Sequence, residues 1–171
     1  VITVAFSGTG VNATNGINAV ELAALDISGL VSSNDWSAVS NLAFSKISFV
    51  PTSGATIELT TGLPTIDPTT HAWTLANDTS WTSQLVSGMS YKVVVQLDST
   101  ISGVPTTSTS STAYALVDTD IPTIAITSTS AGVDNVVNAA EDNDLAISGT
   151  TTGVEDGQTV TVTFSDGTHT L

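Results

Sequence analysis

The chain predicts an all-β protein on three observations: apolar residues alternate with period two, β-branched Thr, Val and Ile abound, and turn residues recur at short intervals. A repeat then sets the domain organisation. Read in ungapped register from Thr3 and Thr123, about 120 residues apart, the two stretches share several pairs. These are Ala5/Ala125, Asn15/Asn135, Asn18/Asn138, Ala19/Ala139, Glu21/Glu141, Leu25/Leu145 and Ile27-Ser28-Gly29/Ile147-Ser148-Gly149. The expected domains are therefore a first unit over 1–117, a short linker over 118–122, and the N-terminal part of a second unit over 123–171. That second stretch is too short to bury a sandwich core alone. It is expected to continue in a longer chain or to be completed by another chain.

The elements follow in order. Ile2, Val4 and Phe6 alternate with Thr3 and Ala5, which predicts a strand over 2–7. Asn18 stands three residues before Glu21, and Asn138 three before Glu141; each pair reads as a capping box on one helical turn. Further strands are expected over 25–31, 42–50, 55–61, 71–75, 81–86, 90–98 and 112–117. Within them Phe44, Ile47 and Phe49 mark one apolar face, and Val93 and Val95 another. Pro51-Thr52-Ser53-Gly54 and Ser87-Gly88 supply turns, while Asp98–Ser111 reads as a long Ser/Thr-rich loop. Val160, Val162 and Phe164 alternate ahead of Asp166-Gly167, which predicts a hairpin near the end of the chain. Roughly seven or eight short strands in the first unit argue a two-sheet sandwich. Trp36, Trp73 and Trp81 are expected to fill its core or cover its ends.

Charge narrows the function. Lys46 and Lys92 are the only basic side chains, and the net charge is −14. Such a surface repels nucleic acid and anionic membranes, and no apolar run reaches the ~18 residues needed to span a bilayer. There is no Cys, so packing or metal must supply stability. Catalysis finds little support. His71 and His169 sit in strand-like contexts, and there is no Gly-x-Ser-x-Gly elbow, His-x-x-x-His pair or phosphate loop. The Asn12 and Asn77 sequons read as coincidence in a Thr-rich chain.

The stretch VDTDIPTIAITS, followed by DNVVNAAEDNDLAISGTTTGVEDGQTVTVTFSDGTHTL, resembles the bacterial immunoglobulin-like tandem repeats of giant type I-secreted adhesins of the RTX or biofilm-associated kind. The likeness is specific over 117–171; over 1–116 it rests on Asn18, Ala19, Glu21, Ile27, Ser28 and Gly29, with a longer, irregular middle. It implies immunoglobulin-like Greek-key β-sandwich repeats arranged end to end, on an extracellular, cell-surface protein. It also implies Ca²⁺ at the domain junctions.

In a sandwich of that topology the loop from Asn12 to Glu21 faces the next domain, and the loop carrying Glu155 and Asp156 faces back, with Asp118 and Asp120 between them. Hard oxygen ligands from three segments suit Ca²⁺, which takes about six to eight of them. Asp134, Asn138 and Glu141 belong by the same logic to the following junction. The simpler readings stand beside this one. Asn18/Glu21 and Asn138/Glu141 cap a helical turn, a role compatible with metal binding, and Asp156-Gly157 forms a turn. Asp142-Asn143-Asp144 opens like an EF-hand loop but lacks the downstream Gly and Glu.

The expected function is a non-enzymatic stalk segment of a secreted adhesin, its partners being neighbouring repeats and glycans or matrix components. Two alternatives are a carbohydrate- or partner-binding first unit acting through residues 51–82, where His71, Trp73 and Trp81 cluster, and an extracellular filament subunit completed in trans.

Overall fold

The computed structural model describes residues 1–130, 146–154 and 159–163. It is an all-β protein in two compact units, Val1–Asp120 and Ile121–Leu171. No helix among the described residues is long and apolar enough to cross a membrane.

In chain order the strands of the first unit are β1 (Ala5–Ser7), β2 (Ile17–Asn18), β3 (Asp26–Leu30), β4 (Val39–Pro51), β5 (Ile57–Leu59), β6 (Ala72–Leu75), β7 (Met89–Ile101), β8 (Val104–Ser111) and β9 (Ala115–Asp118). Two α-helical turns, α1 (Ala19–Leu22) and α2 (Thr79–Thr82), and two 3-10 turns, Ala13–Asn15 and Trp36–Ala38, interrupt them. One sheet has the order β1-β3-β6, all antiparallel. The other has the order β2-β9-β7-β4-β5, with β8 also on β7. β8 and β9 occupy the same edge of β7 one after the other, β8 over Val94–Ile101 and β9 over Met89–Tyr91. Thr112 bridges the break: its Oγ1 accepts from the Val93 N–H at 2.9 Å.

The alternation that predicts strands also builds the core. From Tyr91 to Ser99 every odd-numbered residue of β7 is buried and every even-numbered one half-buried. Val93 and Val95 meet Ile47 and Phe49 of β4, register partners in the order Phe49↔Val93 and Ile47↔Val95. The three-residue step from Phe44 to Ile47 breaks period two because β4 carries a bulge between Phe44 and Lys46, which restores both side chains to the inner face. Ile27, Trp73 and Leu75 from the other sheet belong to the same hydrophobic cluster, and the Phe44 and Trp73 rings lie 4.8 Å apart. Tyr91, at the start of β7, is buried and its hydroxyl accepts the Val86 N–H at 3.2 Å, tying the preceding turn to the core. Tyr91→Phe is expected to cost about 1 kcal/mol, the net worth of one hydrogen bond plus an orphaned donor. Urea unfolding measures it; an unchanged midpoint would show the bond to be ornamental.

Two elements expected in the first unit need correction. Residues 81–86 are not a strand: Asp78 caps α2, its carboxylate accepting the Ser80 N–H at 2.7 Å, and Trp81 and Leu85 are buried four residues apart at helical spacing. Asp98–Ser111 is not a loop. β7 runs on to Ile101 and returns as β8 through a two-residue turn, Ser102-Gly103, with φ of 50° and 82°. That turn twists in the sense a hairpin needs, and it lets a Ser/Thr-rich run alternate as an edge strand. Pro105 is tolerated there because only one edge of β8 is paired.

The second unit contains an antiparallel pair, β10 (Thr123–Ser130) and β11 (Ala146–Thr152). They correspond in the repeat to β1 and β3 with their flanks. The pairing recurs but the register does not: Ala5 faces Ser28, whereas Ala125 faces Thr150. Up to the bulge between Ile126 and Ser128 the offset is two residues, which keeps a side chain on its own face. Residues 159–163 carry no strand, and the Asp166-Gly167 hairpin expected beyond them lies outside the described residues.

Candidate functional site

The repeated phrase begins at Asn18 and folds as its chemistry dictates. Asn18 Oδ1 accepts from the Val20 and Glu21 N–H groups at 2.9 and 3.0 Å, and Glu21 Oε2 accepts from the Asn18 N–H at 3.0 Å. This is a complete capping box. Glu21 does more than cap, because its Oε1 accepts from the Asn12 N–H at 2.9 Å. One carboxylate thus pins the preceding loop to the helical turn.

β2 carries this turn alongside the end of β9, where Ile17 pairs with Val117 and Asn18 with Asp118 in a parallel register. The Asn18 turn and the linker acids therefore share one end of the first unit. Asp118 is half-buried and its Oδ1 accepts from the Asp120 N–H at 3.2 Å, while the Thr119 N–H donates to Ser87 Oγ at 2.9 Å. Asp118-Thr119-Asp120 is a held turn rather than a free tether. Three of the expected ligands, Glu21, Asp118 and Asp120, are described; Asp134, Asn138, Glu141, Glu155 and Asp156 lie outside the described residues.

A calcium cage needs about six to eight oxygens. Among the described residues no group of three or more His, Asp or Glu side chains is close enough to hold a metal ion. Both Glu21 oxygens already accept backbone N–H groups. The described residues do not form a cage on their own. Glu21→Gln separates the roles, since an amide keeps one acceptor and turns its NH₂ towards the other N–H. The expected cost is about 1 kcal/mol with no metal present, read as a lower melting temperature in chelator. Equal stability of the two proteins would remove Glu21 from the loop-pinning role.

The aromatic cluster expected over 51–82 is not a surface. Trp73 and Trp81 are 2 % and 1 % exposed, and Trp81 stacks on Phe49 with centroids 4.8 Å apart. Only His71 of that group is half-buried, and it stacks on Trp36 at 3.7 Å and 8°. Nearness in sequence misled because β6 and α2 both turn their indoles inward.

The two cations are engaged: Lys46 Nζ bonds Glu58 at 2.9 Å, and Lys92 Nζ lies 5.5 Å from the Tyr114 ring centroid. Three aspartates instead hold turns. The Ser37 hydroxyl and N–H lower the Asp35 pKa below the ordinary 3.8, the Thr70 and then Thr69 N–H groups lower that of Asp67, and the Ser80 hydroxyl and N–H lower that of Asp78. A folded pKa below the unfolded one stabilises above the unfolded value and is lost as pH falls through the folded one. Thermal stability is therefore expected to decline from about pH 4 downward on this account. In the triple Asn variant at Asp35, Asp67 and Asp78 that acid slope should flatten; an identical slope would assign it to other carboxylates.

No protein-family model, curated protein or solved structure matches the chain.

Proposed function

We propose that the chain is a non-enzymatic structural segment of a secreted bacterial surface adhesin. In this reading immunoglobulin-like Greek-key sandwiches stand end to end and Ca²⁺ stiffens their connection. The observation that carries it is the recurrence of Asn-Ala-x-Glu and Ile-Ser-Gly in one register about 120 residues apart. The strand order supports the immunoglobulin-like part: β1-β3-β6 against β2-β9-β7-β4-β5 matches an A-B-E sheet facing A′-G-F-C-C′. The buried Tyr91, bonded to backbone a few residues upstream at the start of β7, fits the tyrosine corner of such domains.

The mechanism is mechanical. Each unit is a spacer, and the acidic residues Asp118 and Asp120, joined by Glu155 and Asp156, attract a divalent cation that relieves their mutual repulsion in a chain of net charge −14. At low calcium the connection bends; at extracellular calcium it straightens. Small-angle scattering of this chain in calcium and in chelator tests the reading. The expected result is a longer maximum dimension and a higher melting temperature in calcium, both abolished by Asp118→Asn with Asp120→Asn. Identical scattering and melting in the two buffers would sink the calcium-stiffened stalk.

A further inference from the structure

The first unit contains a cleft of about 440 Å³ that the stalk reading does not use. Its walls are the segment after Val31 and the turn end of the β7–β8 hairpin, joined where the Ser102 N–H donates to the Ala38 carbonyl at 2.9 Å. Leu42 and Leu97 give it an apolar floor, Ser99 and Ser108 bring hydroxyls, and Asp35 and Trp36 stand at its side. A volume of this size is typical of small-ligand sites.

Two features make it a built site rather than a gap. Trp36 is held in one orientation: His71 covers one face of the indole in a near-parallel stack, the residue packs against the core, and it lines the cleft. Asp35 is held as well, its Oδ1 accepting from the Ser37 N–H at 2.9 Å and the Ser37 hydroxyl at 2.6 Å, which leaves Oδ2 for a ligand.

The chemistry selects the ligand. No Lys, Arg or His side chain lines the cleft, and the Asp35 carboxylate would repel an anion. One aromatic surface is available, not a cage, which disfavours a quaternary ammonium. A fixed indole, a carboxylate acceptor and hydroxyls that donate and accept suit a molecule with an apolar flat face and a hydroxyl rim. We propose that this cleft binds a neutral pyranose, stacked on Trp36 and hydrogen-bonded to Asp35.

Saturation-transfer NMR with the methyl glycosides of glucose, galactose, mannose and N-acetylglucosamine tests the proposal, with tetramethylammonium as a cationic control. At least one glycoside should bind with Kd on the order of 1 mM, as a ligand of about a dozen heavy atoms permits. Trp36→Ala should abolish transfer and Trp36→Tyr should retain it. Asp35→Asn, which keeps a side-chain oxygen to cap the turn, should weaken binding about tenfold with little change in melting. No transfer to any glycoside, transfer only to tetramethylammonium, or glycoside binding unaltered in both Trp36→Ala and Asp35→Asn would each overturn the site. None of these outcomes depends on calcium or on the scattering profile.

Discussion

Gly29→Ala is expected to unfold the edge of the first sheet. Gly29 has no unusual φ; its cost is purely steric. A Cβ there would lie 2.0 Å from the Thr3 carbonyl oxygen, 2.7 Å from its carbon and 3.0 Å from the Trp73 ring. None of these can swing aside like the end of a flexible chain. Thr3 is clasped to Leu30 by its N–H at 2.8 Å, and its Oγ1 accepts from the Leu30 N–H at 2.9 Å. Accommodating a methyl group means releasing that clasp or displacing a buried indole, so the expected loss is about 3 kcal/mol or more. For a unit of this size that lowers the melting temperature by roughly 10 °C. Differential scanning calorimetry reads it, and a shift within a degree or two would mean that β1 is only loosely attached. The repeat supplies an internal comparison: at Gly149 the tightest approach is Ala125 O at 2.8 Å, so Gly149→Ala should cost less.

Trp81→Ala should be as damaging for a different reason. The indole is 1 % exposed and stacks on Phe49, itself fully buried, at 15° between planes. Truncation removes the apolar contact and leaves a cavity beneath α2, at about 3–5 kcal/mol. Trp81→Phe keeps the stack and discards an Nε1 that has no hydrogen-bond partner among the described residues. It should therefore retain most of the stability, within about 1–2 kcal/mol of the parent. Equilibrium urea unfolding of the two variants separates these outcomes; similar midpoints for Ala and Phe would place the indole outside the core's energetics.

These two positions show where local reading succeeds and fails. Gly29 belongs to the repeated Ile-Ser-Gly phrase and stands out at once, yet nothing in the phrase reveals that a backbone oxygen from residue 3 occupies the space a Cβ would take. Trp81 sits in WTSQLV, which imitates a strand because the segment is short. The Asp78 cap and the burial of Trp81 with Leu85 at a spacing of four reveal the helical turn. The Asp98–Ser111 hairpin was hidden for a related reason. Ser and Thr look like loop residues until β7 offers an edge, after which their alternation is as good a strand pattern as any.

The site followed the same division. The capping box of Asn18 and Glu21 was readable residue by residue, since both of its hydrogen bonds are local. That Asn18 pairs with Asp118 depends on a parallel β2–β9 contact between segments about a hundred residues apart. The Trp36–His71 stack beside the cleft is equally remote in sequence.

The chain alone settles its all-β class, its strand-rich first unit, the repeated phrase and its helical turn, because periodicity, propensity and capping act over a few residues. Which tryptophans are core, which glycine is indispensable and where a cleft opens are settled only when distant segments pack. Those properties depend on the space between sheets, and no local pattern encodes it.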